Sequence, residues 1–162
     1  MSSGPLVIGY DGSAAAERAL LQAAALMAPR PALVVVVWEP DRVFEAMTWP
    51  ASTAGIPLAP IDIRAALELQ QKEAERVQEL AARAADRARE AGLEAEGLAV
   101  ADDRTVAETL IRLVREQDGR ALVIGARPHG AIGELVLGST EREVLRKTPC
   151  PVLVVRDTDQ DG

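Results

Sequence analysis

Several common tools of catalysis and ligation are scarce in this 162-residue chain, which holds one cysteine (Cys150), one histidine (His129) and two lysines (Lys72 and Lys147). A lone cysteine forms no internal disulfide, and between Pro149 and Pro151 it reads as a small residue entering a strand. A lone histidine builds neither a histidine metal cluster nor a Ser/His/Asp relay with a choice of bases. Neither lysine follows a glycine, so there is no GxxxxGK(S/T) phosphate loop; a GxGxxG after the first apolar run and a GxSxG elbow are missing too. These absences argue against a P-loop NTPase, a dinucleotide-binding Rossmann domain and a hydrolase built on a nucleophile elbow.

The net charge of −7 argues against a nucleic-acid partner, because such binding relies on clustered positive charge. The basic residues are nearly all arginine and alternate with acids along presumptive helices, as on a solvated face. No run approaches the roughly 20 apolar residues that span a membrane, and MSSGPLVIGYDGS has no basic region of a signal peptide. The expectation is a cytoplasmic protein without membrane partners. Hydrophobic residues at 48% and charged residues at 27% match an ordinary globular chain. We expect one domain over 1–156, burying roughly 70% of its unfolded surface, and a disordered polar tail over 157–162.

Along the chain, apolar runs alternate with helical patterns. Pro5 to Tyr10 (PLVIGY) predicts a buried strand, Asp11-Gly12-Ser13 a turn, and Ala14 to Ala28 an alanine-rich helix ended by Pro29 and Pro31. Ala32 to Trp38 (ALVVVVW), apolar on both faces, predicts a central strand of a covered parallel sheet. Glu39 to Ile61, with prolines at 40, 50, 57 and 60, predicts a long loop whose Phe44, Met47 and Trp49 cover the sheet edge or pack over a ligand or partner. Asp62 caps a long helix to about Ala91, stopped by Gly92, with Leu67, Val77, Leu80 and Ala84 along its buried face.

Leu93 to Ala101 predicts an outer, half-exposed strand, and Thr105 with Glu108 a capping box opening a helix from Val106 to Gln117, with Gly119 as its stop. Ala121 to Ile124 predicts another buried strand. Thr140 and Glu143 repeat the capping-box spacing ahead of a last helix to Lys147, and Val152 to Val155 (VLVV) closes the chain as a strand. This alternation predicts an α/β fold with an open, mostly parallel five-stranded sheet and helices on both faces.

In open α/β sheets a ligand lies beyond the carboxyl ends of the strands, where strand order reverses. The residues expected there are Gly9 to Ser13, Val37 to Pro40, Val100 to Asp103 and Gly125 to Gly130. Asp11, on a turn at a strand end, suits ribose hydroxyls or a metal bound to phosphates, and equally an Asx turn at the first helix. Gly138, Ser139 and Thr140 offer successive N–H groups and two hydroxyls at a helix start, which suits phosphate as well as ordinary capping. His129 is expected to be solvent-exposed, within reach of that phosphate.

VIGYDGS near the N-terminus, VVVVWEP after the second strand and VIGARPHGAIGELVLGSTEREVLRKTPCPVLVVR at the end together resemble the universal stress protein family over essentially the whole chain. The resemblance implies a Rossmann-like fold similar to the adenine nucleotide alpha hydrolases, with a regulatory site for ATP or a related adenine nucleotide. The implied binding set is Gly9, Tyr10, Asp11, Val37, Gly125, Ala126, Arg127, Gly130, Gly138, Ser139 and Thr140, with magnesium reaching Asp11 only through bound nucleotide. It implies homodimers paired partly through Val152 to Val155. No base is positioned by a third group, so at most slow metal-assisted hydrolysis is expected.

Nucleotide-binding members carry Gly, two residues, Gly, nine residues, then Gly-Ser/Thr. Here Gly125 and Gly138-Ser139 hold the ends of that pattern and Pro128 replaces the middle glycine. Proline lacks an N–H and fixes φ, which removes a donor worth on the order of 1.5–3 kcal/mol against a charged phosphate. That corresponds to roughly a ten- to hundredfold loss in affinity, with Gly130 available to compensate in part. The alternative is a dimeric interaction module of the same fold that binds no nucleotide.

Overall fold

The computed structural model describes residues 3–40, 63–102, 104–126 and 137–156. The strands are β1 (Leu6–Gly9), β2 (Pro31–Trp38), β3 (Glu94–Ala101), β4 (Ala121–Ala126) and β5 (Val152–Arg156). Between them lie the helices α1 (Ala14–Met27), α2 (Ile63–Glu90), α3 (Val106–Glu116) and α4 (Ser139–Lys147). All strand pairs are parallel, in the order β3-β2-β1-β4-β5. The chain therefore winds outward from β1 to β3, then returns past β1 to add β4 and β5. The reversal lies between β1 and β4.

Strand side chains alternate between two layers, as a period of two requires. Leu6, Ile8, Val34 and Val123 pack with Ala19, Leu20 and Ala23 of α1 and with Ala84, Ala85 and Ala88 of α2. Val7, Val35, Leu122 and Ile124 pack on the opposite face with Leu110, Leu113 and Val114 of α3 and Val144 of α4. Both faces of β1 and β4 are covered, which is why their sequences are apolar without alternation. Alanine dominates the buried stripes of α1 and α2, a small residue that lets helix and sheet backbones approach closely.

Local signals are realised with some shifts. Thr105 and Glu108 form both halves of the expected capping box, and Gly92, two residues past the end of α2, takes the left-handed region (φ 102°). After α3, by contrast, the left-handed residue is Asp118 (φ 49°), and the expected stop Gly119 donates its N–H to Val114 O at 2.7 Å. The second expected capping box does not form: the N-cap of α4 is Gly138, two residues before Thr140, and it provides no side-chain cap. Thr140 thus falls inside the helix, and Glu143 accepts from Lys147 Nζ at 2.7 Å instead.

The predicted face of α2 is corrected at its start. Val77 and Ala84 are buried, but Leu67 is 58% exposed, because the first turns of α2 carry no buried residue before Val77. Asp62, most of the long loop with Phe44, Met47 and Trp49, and the polar tail lie outside the described residues.

Candidate functional site

Where strand order reverses, the ends of β1 and β4 and the starts of α1, α3 and α4 enclose a cavity of about 340 Å³. Gly9, Tyr10 and Asp11 enter it from β1 and the following turn, Val37 from β2, Gly125 from β4, and Gly138, Ser139 and Thr140 from the start of α4. These expected site residues, up to 131 positions apart in sequence, meet in one space. Ala126 is buried and does not line it. Arg127, Pro128, His129 and Gly130 lie outside the described residues. Val100 to Asp102 also stay away, because β3 is the sheet's outer strand, two positions from β1. There Asp102 accepts from Thr109 Oγ1 at 3.0 Å and from Arg112 Nη2 at 2.8 Å, tying the β3 end to α3.

The turn after β1 realises one of the two roles open to Asp11. Its Oδ1 accepts from Ser13 N at 2.9 Å, an Asx turn, while the cap of α1 is Ser13, whose Oγ accepts from Ala16 N at 3.2 Å. Gly12 takes φ 80° in that turn, a conformation β-carbons disfavour. Asp11 is exposed at the cavity wall. The N-terminus of α1 is thus satisfied by its own side chain. That of α4 has only Gly138 as cap, so its first N–H groups have no intrahelical partner and border the cavity.

Val35, Ile124, Val106 and Leu110 complete an apolar wall and Ala16 and Glu141 further edges, none of them in the sequence-derived set, whereas Ser13, which also lines the cavity, was expected there with Gly9 to Ser13. A signal for two was present: Val35 shares a strand face with Val37, and Val106 is the first residue of the helix expected from the Thr105–Glu108 capping box. Glu141 carried none, since its approach depends on how α4 meets the sheet. Apolar walls beside an aspartate and an open helix start can hold a flat apolar ring at one end and an anion at the other.

Tyr10 links this wall to the helices. Its hydroxyl donates to Glu17 Oε2 at 2.9 Å, and Glu17 Oε1 accepts from Arg87 Nε at 3.0 Å. Burial, reinforced by the bond to Glu17, pushes the phenol up from 10.0 to about 12. Because the folded value is the higher, the associated stability is complete below pH ~10 and is lost as pH rises towards about 12. Tyr10 is the sole tyrosine, so the phenolate absorbance reports it alone. The native protein should titrate with a midpoint of about 12, the denatured chain near ~10, and Glu17→Gln should lower the native midpoint. A native midpoint equal to the denatured one would contradict the partly buried hydrogen bond.

A model of the universal stress protein family matches residues 3–156. The chain belongs to the universal stress protein family. A universal stress protein of Thermus aquaticus, from the 3′ region of QAH/OAS sulfhydrylase, is 40% identical over 50 residues. That match spans 31% of this chain and only about a third (36%) of the relative's own length. A solved universal stress protein from Archaeoglobus fulgidus is 26% identical, covers 94% of this chain and 98% of its own, and superposes with a TM-score of 0.64.

Two further solved members share the fold at lower identity. One, in complex with cAMP, is 22% identical with TM-score 0.59, covering 96% of this chain and 98% of its own. Another, from A. fulgidus in complex with dAMP, is 21% identical with TM-score 0.53, covering 96% and 99%. The expected fold class and family are both borne out. Among the described residues no helix is long and apolar enough to cross a membrane, and no group of three or more His, Cys, Asp or Glu is placed to hold a metal ion.

Proposed function

We propose that this universal stress protein binds ATP or a related adenine nucleotide as a regulatory ligand in the cavity between β1 and β4. The observation that carries the reading is the convergence of Asp11, Val37 and Gly138-Ser139-Thr140 on one space at the reversal of strand order. Val35 and Val37 would face the adenine, Asp11 the ribose hydroxyls, and the uncapped start of α4 the phosphate. Solved relatives of the same fold in complex with cAMP and dAMP, both adenine monophosphates, support that choice of base. Magnesium fits as a companion of the nucleotide, since it is commonly held by one or two carboxylates plus phosphates. Asp11 would meet the ion only through bound nucleotide, whose phosphate charge the ion would neutralise. The ligand is supplied in the cytoplasm, where we place the protein.

Calorimetric titration with AMP and with ATP plus magnesium tests the reading. Saturable binding is expected, and Asp11→Ala should weaken it roughly ten- to hundredfold, the loss of a charged hydrogen bond. Saturating nucleotide that gives neither heat nor a thermal shift would refute it. In that event a second reading gains, a dimeric interaction module without nucleotide, favoured by the loss of a donor at Pro128. Either reading places the homodimer contact along β5, whose Val152 to Val155 are half-buried and pair only with β4 among the described strands. Sedimentation of the same sample should give twice the 17.2 kDa chain mass.

A further inference from the structure

The phosphate end of this cavity carries a negative charge of its own. Glu141 is the third residue of α4, and its side chain turns back over the helix start instead of outward. A β-carbon placed on Gly138 would collide with Glu141 Oε2 and stand 3.6 Å from Oε1. Both carboxylate oxygens therefore lie against Gly138, at the N-cap where a ligand anion would meet the helix dipole. No cation is paired with Glu141 among the described residues. The described lining of the cavity contains two carboxylates, Asp11 and Glu141, and no lysine, arginine or histidine.

We propose, on the basis of the nucleotide reading above, that Glu141 selects for low phosphate charge, so that adenosine and its monophosphate bind more tightly than the triphosphate. The start of α4 already faces one internal anion, which offsets part of its attraction for another. Each added phosphate brings further negative charge towards Glu141 in a half-enclosed space, where like charges repel more strongly than in water. The adenine and ribose contacts at Val37 and Asp11 lie apart from this effect and are common to all three ligands. The size of the cavity, about 340 Å³, lies at the low end of the range for ligand pockets and suits a compact ligand.

The test is a calorimetric comparison of adenosine, AMP and ATP on the full chain, with a chelator present so that no divalent cation masks phosphate charge. In the parent protein ATP should bind at least about tenfold more weakly than AMP, as a modest uncompensated repulsion requires. Glu141→Gln, which keeps the side chain's length, should close that gap while leaving adenosine affinity unchanged. ATP binding as tightly as AMP in the parent would overturn the selection alone. So would a Glu141→Gln effect equal for all three ligands, since that reports a general disturbance of the site. If none of the three binds, with or without magnesium, both the selection and the nucleotide reading fall.

Discussion

Gly125→Val is expected to leave little folded protein under conditions where the parent chain is stable, with a loss of about 3 kcal/mol or more. A β-carbon on Gly125 would collide with Ala15 O and stand 2.9 Å from Ala16 N. Both are backbone atoms in the first turn of α1, so no rotamer change relieves the clash. The helix start would have to lift from the sheet, pulling on the turn that holds Asp11 and Ser13. Meanwhile Gly125 pairs with Val155, so a shift of β4 instead would disturb β5.

Urea unfolding reads the effect directly, and at about 2–4 °C per kcal/mol for a chain of this size the thermal midpoint should fall by about 6–12 °C. Gly125→Ala brings the same β-carbon with less bulk and should lie between the two. Valine tolerated at the parental midpoint would mean that α1 does not sit on β4 at this distance. Stability, and not phosphate binding alone, then gives a reason for glycine at the first place of the Gly125–Gly138 pattern.

The second large effect concerns Leu110, which is 1% exposed and packs among Ile124, Val114 and Val7 on the α3 side of the sheet. Leu110→Ala should cost about 2–5 kcal/mol, the transfer of the lost carbons plus the void left behind. The void opens into the candidate cavity, because Leu110 lines it beside Gly9. The same substitution at Leu67, 58% exposed in the first turns of α2, should change stability by no more than about 0.5 kcal/mol. Alanine's better helix propensity works there in its favour. Equal losses at the two positions would show that the start of α2 is buried against something, and that Leu67 belongs to the core face its spacing suggested.

The pair also shows where sequence patterns lose their hold. Leu67 and Val77 fall near the same stripe of one helix, yet only Val77 touches the sheet, because a helix as long as α2 extends beyond the strands it covers. Periodicity reports which side of a helix is apolar and is silent about where along its length the partner ends. Thr140 and Glu143 make the same point about caps. Their spacing equals that of Thr105 and Glu108, but Gly138 starts α4 first, and Glu143 is left to pair with Lys147. Within the turn after β1, the Asx turn expected at Asp11 forms, but the cap of α1 is Ser13, which the sequence pattern places only in the turn.

The sequence by itself determined the alternation of strands and helices, the burial of β2 and β4 on both faces, and the presence of a turn aspartate and a Gly-Ser-Thr helix start. Each of these rests on residues one to four positions apart, and neighbours at that range set backbone preference and facing directly. The tertiary structure alone decided that β1 lies beside β4, which brings Asp11 within one cavity of Gly138-Ser139-Thr140. It alone brought Glu141 to the cavity and kept the β3 end away from the site. The pairing of β1 with β4 joins segments more than a hundred residues apart, and there the burial of whole faces chooses the neighbour while no short-range spacing records the choice.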